Sequence, residues 1–257
     1  RKLSNTGAVT TRNSFSVAIY LILVLIPSLF VAFPAVSAMA NGTLRDALEG
    51  VGDWQRYWQS LGLSYLIGAL VTLLNVIVGL PMAVLIARKR MGKVLPAILD
   101  ILVDVPLIVP SIALGASLGM FWRDFFKGIP EIGLIIFAHL SITYPYFVRA
   151  MAAAIQRIDI DLENASRILG AKPFTVFKTI ILPLTKYSLF AGAIMMFTRS
   201  VDETGATSAV TTLKTAPVLL GDWVGKPAAP LGCAFLIIFS FVVLLVLRLV
   251  VRGRGRY

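Results

Sequence analysis

Long apolar runs separated by short polar breaks fill most of this 257-residue chain. Six runs stand out, near residues 15–38, 61–87, 96–121, 131–150, 187–210 and 231–251. Each reaches the ~20 residues that a helix needs to cross the hydrocarbon core of a bilayer. Backbone polar groups in hydrocarbon must bond within their own segment, so unbroken runs of this length predict helices and not barrel strands. Pro27 and Pro34 in the first run, Gly79 and Pro81 in the second, and Pro106, Pro110 and Gly115 in the third predict kinks and close helix contacts. One break is long: residues 151–186, between the fourth and fifth runs, need structure of their own. The pattern predicts an all-α integral membrane protein, a single transmembrane domain over 1–257 with six transmembrane helices.

Composition excludes an ordinary soluble domain, with 58% hydrophobic and 14% charged residues and a mean hydropathy of +0.85. The first run is too long for the apolar core of a signal peptide, and no small-residue cleavage site leads into a soluble domain. The chain opens on Arg1 without Met, so residues upstream are expected. Basic residues stay on the cytoplasmic side during insertion. With both termini inside, the inner segments collect seventeen of the 24 Lys and Arg, the outer loops six, and the fifth run keeps Arg199. This predicts a multi-pass protein of the cell membrane with both termini cytoplasmic. The same bias accounts for most of the net charge of +11, so its nearest partner is anionic membrane lipid and not nucleic acid. The single Cys233 has no disulfide partner and reads as a packing residue, and Asn41-Gly42-Thr43 reads as a loop turn.

The long break carries helix signals. Asp159 or Asp161 can cap a helix start, Glu163 falls in its first turn, and Arg167 lies four residues further on. Gly170 supplies a left-handed stop and Pro173 suits the first turn of a second helix, along which Phe174, Phe177, Ile180 and Ile181 recur at helical spacing. A short helix, a glycine corner and a second helix along the membrane face suit docking to a soluble partner.

Glu163-Asn164-Ala165, then Gly170, then Ile180-Ile181-Leu182-Pro183 resemble the motif E-A-A-x3-G-x9-I-x-L-P of the permease subunits of ABC importers, read with Asn164 in place of an alanine. The resemblance implies the type I importer fold and a coupling helix over 161–172 that seats in a groove of an ATPase subunit. It assigns ATPase docking to Asp161, Glu163, Asn164, Ala165, Arg167, Gly170, Ala171 and Lys172. It further implies two ATPase subunits, which hold ATP and Mg, a second permease subunit of the same or homologous sequence, and an extracytoplasmic solute-binding protein. A second stretch, Arg199, Glu203, Gly205 and Ala206, resembles the R-x3-E-[FY]-G-A pattern of permeases for molybdate, tungstate, sulfate and some ferric-iron systems, with Thr204 in place of the aromatic residue.

Chemistry within the chain is sparse. Gly92-Lys93 and Gly225-Lys226 lack the rest of a phosphate-binding loop, so no ATP site, cofactor site or enzymatic activity is expected here. His139 is the only histidine, which leaves no metal cluster or histidine triad, and it is expected to bond a neighbouring helix. In the fifth run Arg199, Asp202 and Glu203 fall at i, i+3 and i+4, near mid-membrane. With Thr204, Thr207 and Ser208 they line a path or gate in one reading and form a structural ion pair in the other. Asp100 and Asp104, four apart at the inner end of the third run, are expected to pair with basic residues; a cation site or inner gate is the alternative.

The reading is a permease subunit of an ATP-driven importer, forming half of a translocation pathway by alternating access. A small oxyanion, molybdate, tungstate or sulfate, is the favoured substrate, with ferric iron, phosphonate, polyamine or sugar as alternatives. The rival class, an ion-coupled secondary transporter or channel, would use Asp100, Asp104 or Glu203 and need no ATPase.

Overall fold

A computed structural model describes residues 5–40, 43–89, 92, 94–126 and 128–253. All regular structure among them is helical. The chain divides into two units, residues 1–56 with 223–239, and residues 57–222 with 240–257.

The first unit contains α1 (Asn5–Ala40), α2 (Thr43–Glu49), the start of α3 (Asp53–Arg88) and the first part of α12 (Ala229–Gly253). Trp54 anchors it: its ring stands edge-on to Trp223 at 5.2 Å and to Phe235 at 6.0 Å, and the Lys226 ammonium lies 3.8 Å from Asp53. The turn expected at Asn41-Gly42 lies outside the described residues.

The second unit holds most of α3, then α4 (Val94–Ile108), α5 (Ser111–Phe125), α6 (Glu131–Gln156), α7 (Ile160–Ile168), α8 (Pro173–Val176), α9 (Leu182–Val201), α10 (Gly205–Val210), α11 (Ala216–Asp222) and the end of α12. Helix α6 is its centre and the most deeply buried of the long apolar helices among the described residues. The Phe147 ring explains two glycines: a Cβ on Gly79 of α3 would lie 2.9 Å from it, and one on Gly192 of α9 would lie 3.0 Å from it. Around Phe147 pack Ala83, Val103, Met151, Ile155, Ile181 and Met196; a second cluster of Ile67, Val71, Ile135, Ala138, Ala206 and Val210 lies further along α6.

Four helical stretches among the described residues are long and apolar enough to cross a membrane: Asp53–Arg88, Glu131–Gln156, Pro173–Val201 and Ala229–Leu249. The third expected run is no straight helix, because α4 and α5 meet at 111° and count as a fifth crossing only if taken together. Pro110 sits at the break with an extended ψ of 133°, and proline disfavours helical backbone in the residue before it. The first expected run falls within the 36-residue helix α1. The fifth also needs correction: α9 starts earlier, at Leu182, and stops at Val201, not 210. The loop expected over 151–186 is correspondingly shorter, since α6 runs on to Gln156. A π-helical turn, Phe177–Ile181, joins α8 to α9 just before Pro183, whose missing N–H and bulky ring disrupt regular α bonding there.

Candidate functional site

The projecting loop is built from its caps. Asp159 Oδ1 accepts from the Asp161 backbone N–H at 3.0 Å and starts α7. At the other end Gly170 takes φ +86°; its N–H donates to the Arg167 carbonyl at 2.9 Å and the Ala171 N–H to the Ser166 carbonyl at 3.1 Å. This pair of bonds is the Schellman stop, and it turns the chain into Lys172 and the Pro173 that opens α8. Asp161, Asn164, Ala165, Arg167, Gly170 and Lys172 are exposed, with Ala171 half-buried. Two apolar residues that the sequence reading did not single out stand furthest out, Ile168 at 86% and Leu169 at 88% exposure.

Glu163 differs from the rest of its helix. It is fully buried, its Oε1 accepting from Arg88 Nε at 2.7 Å, while the i+4 partner Arg167 lies further off at 3.8 Å. Arg88, the last residue of α3, also donates from Nη2 to the Ile158 carbonyl at 3.0 Å. The motif register is corrected by the same residues. Counting E-A-A-x3-G back from Gly170 puts the three motif positions at Asn164, Ala165 and Ser166, so the inward-facing Glu163 immediately precedes them.

The second constellation surrounds the break between α9 and α10. Arg199 Nη2 lies 2.6 Å from Glu203 Oε2, and Glu203 is 1% exposed. The other oxygen, Oε1, accepts from the Ala206 N–H at 2.9 Å and so caps the new helix from inside. Asp202, at the end of α9, is exposed and makes no ion pair among the described residues; the three charges therefore do not share one face. Thr204 and Ser208 are exposed, whereas Thr207 is fully buried.

His139 of α6 spans this break. Its Nδ1 lies 2.8 Å from Ser200 Oγ on α9 and its Nε2 lies 2.7 Å from Thr207 Oγ1 on α10. With the proton on Nε2, imidazole donates to Thr207, whose hydroxyl donates to the Glu203 carbonyl at 3.3 Å, and Ser200 donates to Nδ1. The chain of bonds continues on α6, where Thr143 donates to the His139 carbonyl at 2.7 Å and accepts from Asn75 Nδ2 of α3 at 2.8 Å. Beyond α10, Arg123 donates to the Val210 carbonyl at 2.6 Å, and Glu131 accepts from Thr211 at 2.5 Å and from Thr212 at 3.1 Å. Asn75 could have been picked out as an amide in an otherwise apolar run; Arg123 and Glu131 gave no signal beyond their position at run ends.

Asp100 and Asp104 meet Arg149 of α6. Its guanidinium binds the Asp100 carboxylate, donates from Nε to Asp104 Oδ1 at 2.8 Å and from Nη2 to Oδ2 at 2.6 Å, and reaches the Asp100 carbonyl at 2.6 Å. All three side chains are 36–46% exposed. Among the described residues no group of histidine, cysteine or carboxylate side chains is arranged to hold a metal.

Residues 77–254 match the family described as binding-protein-dependent transport system inner membrane component. The chain belongs to that family. It is thus a membrane component of a transport system and not a catalytic subunit. Among relatives, the molybdenum transport system permease protein ModB of Haemophilus influenzae is 30% identical over 137 residues, 51% of this chain and 56% of that one. ModB of Escherichia coli K12 is 33% identical over 116 residues, so the chain spans about half the length of these ModB relatives. The molybdate/tungstate transport system permease protein WtpB of Methanocaldococcus jannaschii is 28% identical over 94% of this chain and 99% of its own length. Among solved structures, the inward-facing MetNI methionine ABC transporter superposes with a TM-score of 0.65 at 20% identity, over 79% of this chain and 95% of that one. A bacterial alginate ABC transporter in complex with a periplasmic protein gives 0.66 at 13% identity, over 96% and 95%. At these identities the structures speak to the fold, which is that of ABC importer permeases.

Proposed function

We infer that this chain is the permease subunit of an ATP-driven importer for a small oxyanion of the molybdate and tungstate class. It forms half of the translocation path beside a second permease subunit. The observation that carries the reading is α7: a helix capped at both ends, standing out from the transmembrane helices with Ile168 and Leu169 exposed while its Glu163 is held inside. Such an element offers an apolar contact to a soluble partner and a rigid connection to the spans. The partner is a pair of ATPase subunits holding ATP and Mg, with an extracytoplasmic binding protein delivering the anion. The chain lies in the inner membrane with both termini and α7 on the cytoplasmic side, as the distribution of Lys and Arg favours. The near full-length similarity to a molybdate/tungstate permease supports the substrate class. The ion-coupled reading would place its cation at Asp100, Asp104 or Glu203, and each of these faces an arginine.

The test is co-purification of the detergent-solubilised chain with its ATPase, beside the double variant Ile168→Asp, Leu169→Asp and the corner variant Gly170→Pro. ATP-driven molybdate and tungstate uptake is then read in proteoliposomes by elemental mass spectrometry. Loss of the ATPase in the variants, with uptake in the wild type, is expected. An ATPase held equally by all three forms would remove α7 as the docking element, and absence of uptake for both anions would remove the substrate class.

A further inference from the structure

We propose that Arg88 makes α7 mechanically one with the end of α3, so that a displacement of α7 drives α3 directly as well as the helices adjoining it in sequence. This deepens the importer reading and rests on it in one respect, that an ATPase is what moves α7. Along the chain, α7 is joined to α6 through 157–159 and to α8 and α9 through 169–172. Helix α3 ends 75 residues before Glu163, and its tie to α7 is made by side chains. One guanidinium grips both sides of the α7 start, the Ile158 carbonyl just before the cap and the Glu163 carboxylate in the first turn.

Three features make this tie stiff. The carboxylate is fully buried and the Arg88 side chain 7% exposed, so water does not compete for either. The planar fork holds its two acceptors in a fixed relation, which a lysine ammonium does not. The cation also sits at the C-terminal end of a 36-residue helix, where free carbonyls favour positive charge. Glu163 lies before the motif positions, so the pair is a feature additional to the motif.

Helix α3 leads onward. Gly79 meets Phe147 of α6, and Asn75 joins the bonds that run through Thr143 and His139 to both sides of the α9–α10 break. Motion entering at Arg88 therefore has a contiguous route to the residues that surround Arg199 and Glu203. Coupling along this route is measured in two ways.

Nitroxide labels are placed at Ile168→Cys and Val78→Cys, 86% and 69% exposed, in a Cys233→Ala background of the full chain in nanodiscs, and distances are read by pulsed electron resonance. The wild type gives a single narrow distribution; Arg88→Met and Glu163→Gln widen it about twofold or more, and Arg88→Lys does so less. Should Arg88→Met not fold, Arg88→Lys and Glu163→Gln carry the comparison, and widths equal to the wild type in both overturn the tie. In the second arm, the complex with its ATPase is reconstituted and molybdate uptake is divided by ATP hydrolysed. The ratio falls about 2- to 30-fold in Arg88→Met while the ATPase still co-purifies, the range expected of residues along a coupling route. An unchanged ratio with widened distances overturns the mechanical role. If the wild-type chain binds no ATPase, the importer reading fails while the distance arm still decides whether the tie exists.

Discussion

Helix α5 comes so close to α10 at Gly115 that a single methyl group has no room. A Cβ there would lie 2.5 Å from the Cα, 2.9 Å from the carbonyl oxygen and 3.0 Å from the Cβ of the buried Ala206. Carbon atoms in contact sit about 3.5–4.0 Å apart, so Gly115→Ala has to push the α10 backbone away by roughly 1 Å. Overpacking of this kind costs about 1–3 kcal/mol, and replacing glycine by alanine inside a helix returns about 0.5–1 kcal/mol. The net expectation is a loss of about 0–2.5 kcal/mol. Gly62 of α3 is the internal control, since nothing lies within 4 Å of its Cβ position and Gly62→Ala keeps only the helix gain. The two variants should differ by about 1–3 kcal/mol, which for a chain of this size separates their midpoints by roughly 2–12 °C. Thermal unfolding in detergent, followed by fluorescence-detected size exclusion, reads the difference. Equal midpoints for Gly115→Ala and Gly62→Ala would show that α10 is not held against α5 in the way described. The functional consequence is checkable in the same preparations. Ala206 N–H is the donor to Glu203, so the oxyanion uptake proposed for the chain should fall in Gly115→Ala and not in Gly62→Ala.

Two further outcomes follow from single residues. Gly170→Ala meets no steric obstacle but inherits a left-handed backbone, so it should cost about 1–2 kcal/mol of local stability and raise hydrogen exchange across residues 165–172 while leaving the transmembrane amides unchanged. His139→Phe fills the space but leaves the buried Ser200 hydroxyl without its imidazole partner and deprives Thr207 of its link to α6, at about 1–3 kcal/mol for each group left unsatisfied; a midpoint within error of the wild type would show that these bonds do not hold the break.

The projecting loop was legible because its signals are local. Asp159, Gly170 and Pro173 act within a turn of where they stand in the chain, and each does in the structure what its residue type favours. The transmembrane runs were legible as helices for the same reason, their breaks only in part. The fifth expected run extends through 187–210, while the helix stops at Val201: the polar stretch Asp202-Glu203-Thr204-Gly205 marks the place, but that Glu203 folds back on the Ala206 N–H and starts a new helix is a matter of geometry. The bend between α4 and α5 was half legible, since Pro110 marks the place but not the angle of 111°. Arg88 was hidden most completely. Among the basic residues that follow an apolar run it looks like a topology signal, and only the approach of α7 to the end of α3 gives it a partner.

Two arginine contacts of the second unit, those of Arg149 and Arg88, separate by burial in a way that a count of bonds does not. Arg149 reaches two carboxylates and a carbonyl, Arg88 one carboxylate and a carbonyl, so the number of bonds ranks Arg149 first. Exposure ranks them the other way. Asp100 and Asp104 are 46% and 45% exposed, and exposed ion pairs contribute little to stability. Glu163 is 0% exposed, and removing one partner of a buried pair costs about 3–5 kcal/mol because the remaining charge stays out of water. Arg88→Met should therefore lower the unfolding midpoint by several degrees more than Arg149→Met, and added salt should weaken the wild-type contribution of Arg149 while leaving that of Arg88 nearly unchanged. Equal losses, or a larger loss at Arg149, would mean that bond number and not burial governs these contacts. In that case the Arg88 tie would be no stiffer than the exposed cluster. A contact that water can open suits a place where helices must separate during transport, and one that water cannot reach suits a place where they must move together.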